Sequence, residues 1–152
     1  MTGEEKQLTD ILIKAGKLDA GQVEQARLYT LQNSCRIAQA LIRLSYVTDE
    51  DVAVAVSKIH KVPYASLKNN LLDPELGQGL EKLVDFEFAR DNLIVPLFVE
   101  ERQFQVAMVH PTNYLVREAV RVRSGCAVEA LVGTEAEIVL TIAKLYQGGQ
   151  TF

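Results

Sequence analysis

The sequence predicts an α+β fold, in which a duplicated helical hairpin of four helices precedes a small β-β-α-β-α subdomain. Two observations predict this arrangement. Apolar residues recur at helical spacing through the first 60 residues and then give way to short runs typical of strands. The segments 8–23 and 37–52 also carry the same apolar skeleton, offset by 29 residues, which indicates an internal repeat.

The two copies of the hairpin share their apolar spacing and their helix-start signals. In each copy the first helix has four apolar residues at i, i+3, i+4 and i+7. They are Leu8, Ile11, Leu12 and Ala15 in the first copy, and Ile37, Ala40, Leu41 and Leu44 in the second. Asp19 and Thr48 are in register as caps of the second helices. Only three of the sixteen aligned positions are identical, so two unrelated amphipathic hairpins remain the alternative.

Prolines and glycines separate the helical half of the chain from the second half. The predicted organisation is a helical subdomain at residues 1–62, a connector at 63–84, an α+β subdomain at 85–147 and a tail or linker start at 148–152. Within the connector, Asp73-Pro74 favours the start of a helix.

The elements of the second half follow from its periodicity and its turn residues. One helix is predicted over 80–91, strands over 93–100, 103–110 and 127–133, and further helices over 112–125 and 134–146. Pro96 places the first strand at an edge or gives it a bulge, because proline cannot donate a ladder hydrogen bond. Gly125 closes the first of the two later helices, and Thr134 with Glu137 opens the last as a capping box.

Composition and charge exclude several classes of protein. The 152 residues carry a net charge of −4, which argues against nucleic-acid binding through a basic surface. No apolar run reaches the roughly 20 residues that span a bilayer, and the polar N-terminus does not resemble a signal peptide. Cys35 and Cys126 are far apart, as expected for reduced packing thiols. We therefore expect a soluble cytoplasmic protein without direct membrane insertion.

The motifs of catalysis and metal binding are absent from the sequence. There is no P-loop of the form G-x-x-x-x-G-K-[ST]. The two histidines, His60 and His110, lie at element ends, where capping or surface roles are commoner than a dyad with a cysteine. The sequence therefore predicts that the chain is not an enzyme and holds no metal.

An arginine-rich helix leaves two interpretations open. Arg117 and Arg121 lie one turn apart, with Arg123 nearby and Tyr114 at the helix start. A solvated helix face is the simpler interpretation, and a contact with phosphate or with an acidic partner is the alternative.

The duplicated hairpin resembles a known family when it is taken together with three further segments, "KIHKVPYASL", "NLIVPLFVEERQFQVAMVHPTN" and "SGCAVEALVGTEAEIVLTIAKLY". The family is the N-terminal domain of bacterial type II secretion and type IV pilus assembly ATPases, and the resemblance runs from about Leu8 to Tyr146. Its most specific piece is "VAMVHPTN", in which His110 stands where family members usually have aspartate.

The resemblance implies a docking and regulatory module that works through protein–protein contacts. Its implied partners are the cytoplasmic domain of an inner-membrane secretion or pilus assembly protein and an ATPase motor, in cis or in trans. It implies a cytoplasmic location, peripheral to the inner membrane through those partners.

One branch of the family also binds cyclic di-GMP, which makes a receptor for that dinucleotide the alternative function. The resemblance implies two copies of R-L-G-x-x-L-x-x-x-G, each continuing to a leucine and a final glutamine. In that branch a unit of 24 residues and a spacer of five give the 29-residue offset seen here.

Both copies retain part of this motif and depart from it elsewhere. The first copy keeps Leu8, Leu12 and Gly16, but has Gln7, Thr9, Val23 and Thr30 at the other motif positions. The second keeps Arg36 and Leu41, but has Ile37, Ala38, Ser45, Val52 and Ile59. If binding is retained, the resemblance implies a site formed by Arg36, Leu8, Leu12, Gly16, Leu41 and Ser45.

The pattern of replacements predicts that the helical scaffold was kept and the ligand chemistry mostly lost. A Cβ atom at Thr9 or Ala38 would crowd the approach that glycine allows a ligand. Each lost guanidinium hydrogen bond costs roughly 1.5–3 kcal/mol of binding. Arg36, supported by Arg43, is the remaining candidate for holding a phosphate.

Overall fold

The computed structural model describes residues 1–148, and within them it contains eight helices and one three-stranded sheet. The chain divides into two compact units, Met1–Lys61 and a second that begins at Val62. The predicted α+β class is confirmed. Of the predicted tail, only Gly148 falls within the described residues, where it ends the last helix.

The first unit consists of four helices in the predicted order. They are α1 (Gly3–Lys14), α2 (Ala20–Asn33), α3 (Ile37–Arg43) and α4 (Asp49–His60). The predicted capping boxes at Asp19 and Thr48 both form, and a further one at Thr2 opens α1. Helix α1 packs against α4, and α2 packs against α3. In the duplication α1 corresponds to α3, and α2 corresponds to α4. The contact between α1 and α4 is therefore equivalent to the contact between α3 and α2.

Both hairpins contribute to a single hydrophobic core. Its fully buried members come from all four helices and the turns between them: Leu8, Leu12, Leu18, Ala26, Ile37, Ala40, Leu41, Val47 and Ala55. Burying one such leucine stabilises the fold by about 1.5–3 kcal/mol relative to leaving it in water. The apolar skeleton seen in the sequence is therefore the interior of this unit.

The turns that close α1 and α3 have the same hydrogen bonds. Lys17 N–H donates to Leu12 O at 3.0 Å, and Tyr46 N–H donates to Leu41 O at 3.0 Å, which is the six-to-one bond of a Schellman motif. The residue before each donor has a left-handed backbone, with φ of 74° at Gly16 and 60° at Ser45. The second copy has lost its glycine but kept the conformation that glycine favours.

The second unit has the predicted β-β-α-β-α order. Its elements are α5 (Leu80–Leu83), α6 (Phe86–Asn92), β1 (Ile94–Glu100), β2 (Gln103–Met108), α7 (Tyr114–Ser124), β3 (Ala127–Val132) and α8 (Glu135–Gly148). In the sheet, β1 pairs antiparallel with β2, and β2 pairs parallel with β3. At one end of the sheet consecutive residues of every strand are buried, which indicates that both faces are covered there.

The prediction of one helix over residues 80–91 was wrong. Val84 is extended, with φ −132° and ψ 109°, and it separates α5 from α6. The Asp85 carboxylate accepts a hydrogen bond from Phe88 N–H at 2.8 Å and so starts a new helix. An N-cap aspartate offers the backbone an alternative to a continuous helix, and here that alternative is adopted.

The connector covers the outer edge of β1, and Asp73-Pro74 does not start a helix as predicted. Glu75 N–H donates to Leu97 O at 2.7 Å. The Gln78 side-chain amide both donates to Val99 O and accepts from Val99 N–H, each at 2.9 Å. Pro96 lies in this edge strand next to a register shift, so both alternatives proposed for it occur together.

Exchanging the residues at the two equivalent turns should change stability in opposite directions. We expect Ser45→Gly to raise the free energy of unfolding by about 1 kcal/mol, since glycine carries no penalty at positive φ. Gly16→Ser should lower it by about 1 kcal/mol, because a Cβ atom there meets nothing within 4 Å and the cost is conformational. Denaturant unfolding of both variants checks this. Equal stability of the wild type and both variants would contradict it.

Candidate functional site on the duplicated hairpins

Arg36 is positioned at the N-terminus of the second copy. It is the N-cap residue of α3, with φ −82° and ψ 161°, and its backbone N–H donates to Gln39 Oε1 at 3.3 Å. The side chain is exposed, and its guanidinium forms no ion pair with any residue that the structure describes. Arg36 is thus available to an external anion.

The other residues of the implied dinucleotide site lie in the core or at the turns after α1 and α3. Leu8, Leu12 and Leu41 lie together in the hydrophobic core, where a ligand could reach them only if the helices separated. Gly16 and Ser45 are exposed at the turns after α1 and α3. Since Ser45 follows the C-terminal end of α3 and Arg36 precedes its N-terminus, seven helical residues, or roughly 10 Å, separate the two.

A carboxylate of the chain itself occupies the N-terminus of α3. Glu5 Oε2 accepts a hydrogen bond from Ile37 N–H at 3.2 Å, while Glu5 Oε1 accepts one from Thr2 N–H at 3.0 Å. The amide of Thr2 lowers the pKa of Glu5 below its ordinary value of 4.5, partial burial opposes this, and the amide of Ile37 lowers the pKa further. The first-turn amides of a helix are where anions bind, so Glu5 takes a donor that a phosphate would use.

The contact of Glu5 with α3 is not predicted by the sequence. Helix α1 begins at Gly3, four residues before the first motif position at Gln7, and this extra turn carries Glu5. The T-x-x-E pattern of Thr2 and Glu5 was a readable signal for the local capping box. The contact with Ile37 depends on a separation of 32 residues and has no local signal.

The first of the two glycine positions in each motif copy is closed here. Thr9 is only 2% exposed, on the buried face of α1, and its hydroxyl donates to Lys6 O at 3.0 Å. Ala38 is half-buried and packs against the core. Neither position presents bare backbone to a ligand.

The positions that end each motif copy are also engaged within the unit. The Thr30 hydroxyl donates to Arg27 O at 2.6 Å, and Ile59 packs against the core. Val23 and Val52, which replace the motif leucines, pack against the same core. These side chains support the fold instead of offering the donors that glutamine would provide.

The histidines and cysteines do not assemble a reactive cluster. His60 Nε2 lies 2.9 Å from Glu4 Oε1, and His110 is exposed. Cys35 and Cys126 are both free thiols in half-buried positions. Among residues 1–148 no group of three or more histidine, cysteine or acidic side chains is arranged to hold a metal ion.

The three arginines of α7 are all engaged within the second unit, as the solvated-face interpretation expects. Arg117 Nη1 donates to Pro111 O at 3.4 Å, and its guanidinium lies over the Tyr114 ring. Arg121 forms an ion pair with Glu118. Arg123 pairs with Asp85, and its guanidinium carbon lies 4.1 Å from the centre of the Phe88 ring.

Comparison with known proteins identifies the family. The model of the MshEN domain matches residues 60–151, which is more than half of the chain. The chain belongs to the MshEN domain family. The predicted resemblance to the N-terminal domains of type II secretion and type IV pilus ATPases is thereby confirmed. The matched range leaves out most of the duplicated hairpins of this MshEN domain.

A curated relative extends the match into the hairpins. The type IV pilus assembly ATPase PilB of Myxococcus xanthus (strain DK1622) is 26% identical over 139 residues, which cover 91% of this MshEN domain and 24% of PilB. The chain therefore spans about a quarter of the length of that relative.

Two solved structures share the fold of this MshEN domain. A structure of MshE with cdg (cyclic di-GMP) superposes with a TM-score of 0.75 at 19% identity, covering 91% of this chain and 98% of that one. The N-terminal domain of XpsE superposes with a TM-score of 0.68 at 18% identity, covering 95% and 96% of the two chains. Across the described residues, no helix combines the length and the apolar character needed to cross a bilayer.

Neutralising Glu5 should reduce stability in a pH-dependent way. Because the folded-state pKa of Glu5 is lowered, its contribution is fully present above about pH 4.5 and is lost as the pH falls through the folded-state value. We expect Glu5→Gln to lower the free energy of unfolding at pH 7 by roughly 0.5–1.5 kcal/mol, a range that allows for solvent screening. The difference from wild type should shrink as the pH falls below 4.5 and vanish once Glu5 is protonated in the folded state.

Urea unfolding at several pH values measures this dependence. Asp10→Asn is the matched control, since Asp10 is exposed on the same helix and its carboxylate forms no hydrogen bond or ion pair with any described residue. A Glu5→Gln variant as stable as wild type at pH 7, or one whose deficit does not shrink as the pH falls below 4.5, would contradict the prediction.

Proposed function

We propose that this MshEN domain is a non-catalytic docking module of a type II secretion or type IV pilus assembly ATPase. It acts through protein–protein contacts with the cytoplasmic domain of an inner-membrane assembly protein. The observation that carries the proposal is the Glu5 carboxylate on Ile37 N–H, at 3.2 Å, because it gives a first-turn amide of α3 to the chain's own charge and so weighs against an anionic ligand there.

The divergence of the motif supports docking over dinucleotide binding. Positions that build the core keep leucine or another apolar residue, as at Leu12 and Leu41. Positions that would meet a ligand are buried or engaged, as at Thr9 and Thr30. A module that needs only its shape to bind a partner would retain the former and lose the latter.

The remaining parts of the proposal follow from the family. The ATPase motor lies in cis or in trans, and the domain is held in the cytoplasm at the inner membrane by its partners. It binds no nucleic acid and does not itself insert into the membrane. As part of the proposal, the domain itself catalyses no reaction.

Binding to purified assembly proteins tests the proposal. The cytoplasmic domains of the inner-membrane assembly proteins from the same organism's type II secretion and type IV pilus systems are immobilised, and the full chain is titrated by biolayer interferometry. We expect saturable binding to one of them, with a Kd on the order of micromolar. Arg36→Ala should bind equally well, because docking does not depend on an anion. If the chain binds none of these domains, the proposal is refuted.

A cyclic di-GMP receptor is the second candidate function. Two observations favour it: MshE with cdg shares the fold at a TM-score of 0.75, and the guanidinium of Arg36 forms no ion pair within residues 1–148. We expect calorimetric titration with cyclic di-GMP to give no saturable heat. Gln7 replaces the arginine of the first motif copy, and the Glu5 carboxylate already accepts the hydrogen bond of Ile37 N–H beside Arg36. Low-micromolar binding that Arg36→Ala abolishes would make the receptor the preferred function.

A further inference from the structure

An open groove of about 120 Å³ lies between α1 and α4. Its floor is apolar and its rim is charged. The floor is formed by Ile11, Leu12, Ala15, Val54 and Ala55, and the rim by Lys17, Glu50, Asp51 and Lys58. Apolar cavities of about 150 Å³ take up a benzene molecule, so this groove has room for about one apolar side chain.

The duplication shows what fills the equivalent position elsewhere in the same unit. The location equivalent to the groove in the other pair of helices is the contact between α3 and α2. There Leu44 stands in place of Ala15, Tyr46 in place of Lys17 and Tyr29 in place of Lys58. All three of these larger residues are partly buried and pack against the core, whereas their counterparts at the groove are exposed.

Side-chain truncation, not a change of backbone, opens the groove. Ala15 has φ −77° and ψ −3°, and Leu44 has φ −81° and ψ 0°, so the two C-cap residues share one conformation. The same Schellman hydrogen bonds follow both residues. A leucine at position 15 would therefore fit the backbone without strain.

The charges along α4 give the groove two distinct ends. Helix α4 begins with Asp49, Glu50 and Asp51 and has Lys58 in its last turn. Asp51 pairs with Lys17 at 3.8 Å, but neither Glu50 nor Lys58 forms an ion pair with another described residue. Eight residues of helix separate these two side chains by about 12 Å, so a free carboxylate and a free ammonium flank the apolar floor.

We propose that this groove receives an amphipathic helix of the docking partner. The helix inserts one leucine or tyrosine side chain between α1 and α4, as Leu44 and Tyr29 fill the equivalent position. It carries a lysine or arginine towards Glu50 and an acidic residue towards Lys58, since opposite charges at the rim set its direction. This inference rests on the proposed docking function and names the surface and the kind of partner that serve it.

The groove contributes the centre of a larger interface. A stable complex buries about 800 Å² on each partner, of which one inserted side chain is a small part, but inserted anchors carry most of the binding energy. The remaining contact comes from the exposed surfaces of α1 and α4 on either side of the groove.

Filling the groove from within tests the inference. Ala15→Leu should lower the affinity for the assembly-protein domain that wild type binds by about tenfold or more, because the leucine takes the place of the partner's anchor. It should also raise the melting temperature, because the leucine covers core residues as Leu44 does. Ala20→Leu is the matched control: Ala20 is exposed at the start of α2 and does not line the groove, so the affinity of this variant should equal that of wild type.

A second variant tests the charge of the rim. Lys58→Glu should weaken binding several-fold in low salt, whereas Lys14→Glu, on α1 but outside the groove, should have a smaller effect. If Ala15→Leu and Lys58→Glu both bind the assembly-protein domain as tightly as wild type does, the groove is not the docking surface. The docking function itself would still hold. Failure of wild type to bind any assembly-protein domain would instead refute the docking function, and the groove assignment with it.

Discussion

The shared hydrophobic core of the two hairpins is the interaction on which the first unit depends. Leu8 and Leu12 of the first copy are buried with Ile37 and Leu41 of the second. Helix α3 has only seven residues, far too few for a helix that is stable by itself in water, so it exists because this core holds it. The same burial explains why both copies keep apolar residues at these positions.

This constraint acts on the interior and leaves the surface of each copy free to change. The turns after α1 and α3 keep the same hydrogen bonds although Ser45 replaces glycine, because those bonds end helices that the core requires. At the surface, Ala15 and Leu44 share one backbone conformation but leave an open groove on one side and a filled contact on the other. At this turn the two copies differ in their side chains and not in their backbone conformation.

The sequence predicted the features of the fold that depend on local patterns. The 3.6-residue apolar spacing identified all four helices of the first unit, and the capping residues Asp19 and Thr48 marked the starts of α2 and α4. Local patterns failed where two signals compete: Asp85 lies within an apolar helical pattern but caps a new helix. They also failed for contacts between distant residues. The carboxylate of Glu5 on Ile37 and the groove beside Ala15 both depend on how helices meet, which periodicity does not encode.

Native-state hydrogen exchange tests most directly whether the two hairpins form one structural unit. Amides in α1 and α3 are protected by helices that share the buried leucines, so they should exchange through the same opening of the first unit, with equal free energies. The account predicts that a core substitution in the first copy, Leu12→Ala, lowers the protection of both helices by the same amount. If the free energy of opening for the α3 amides is lower than that for the α1 amides by roughly 2 kcal/mol or more, the two copies open independently. That result would contradict a single shared core.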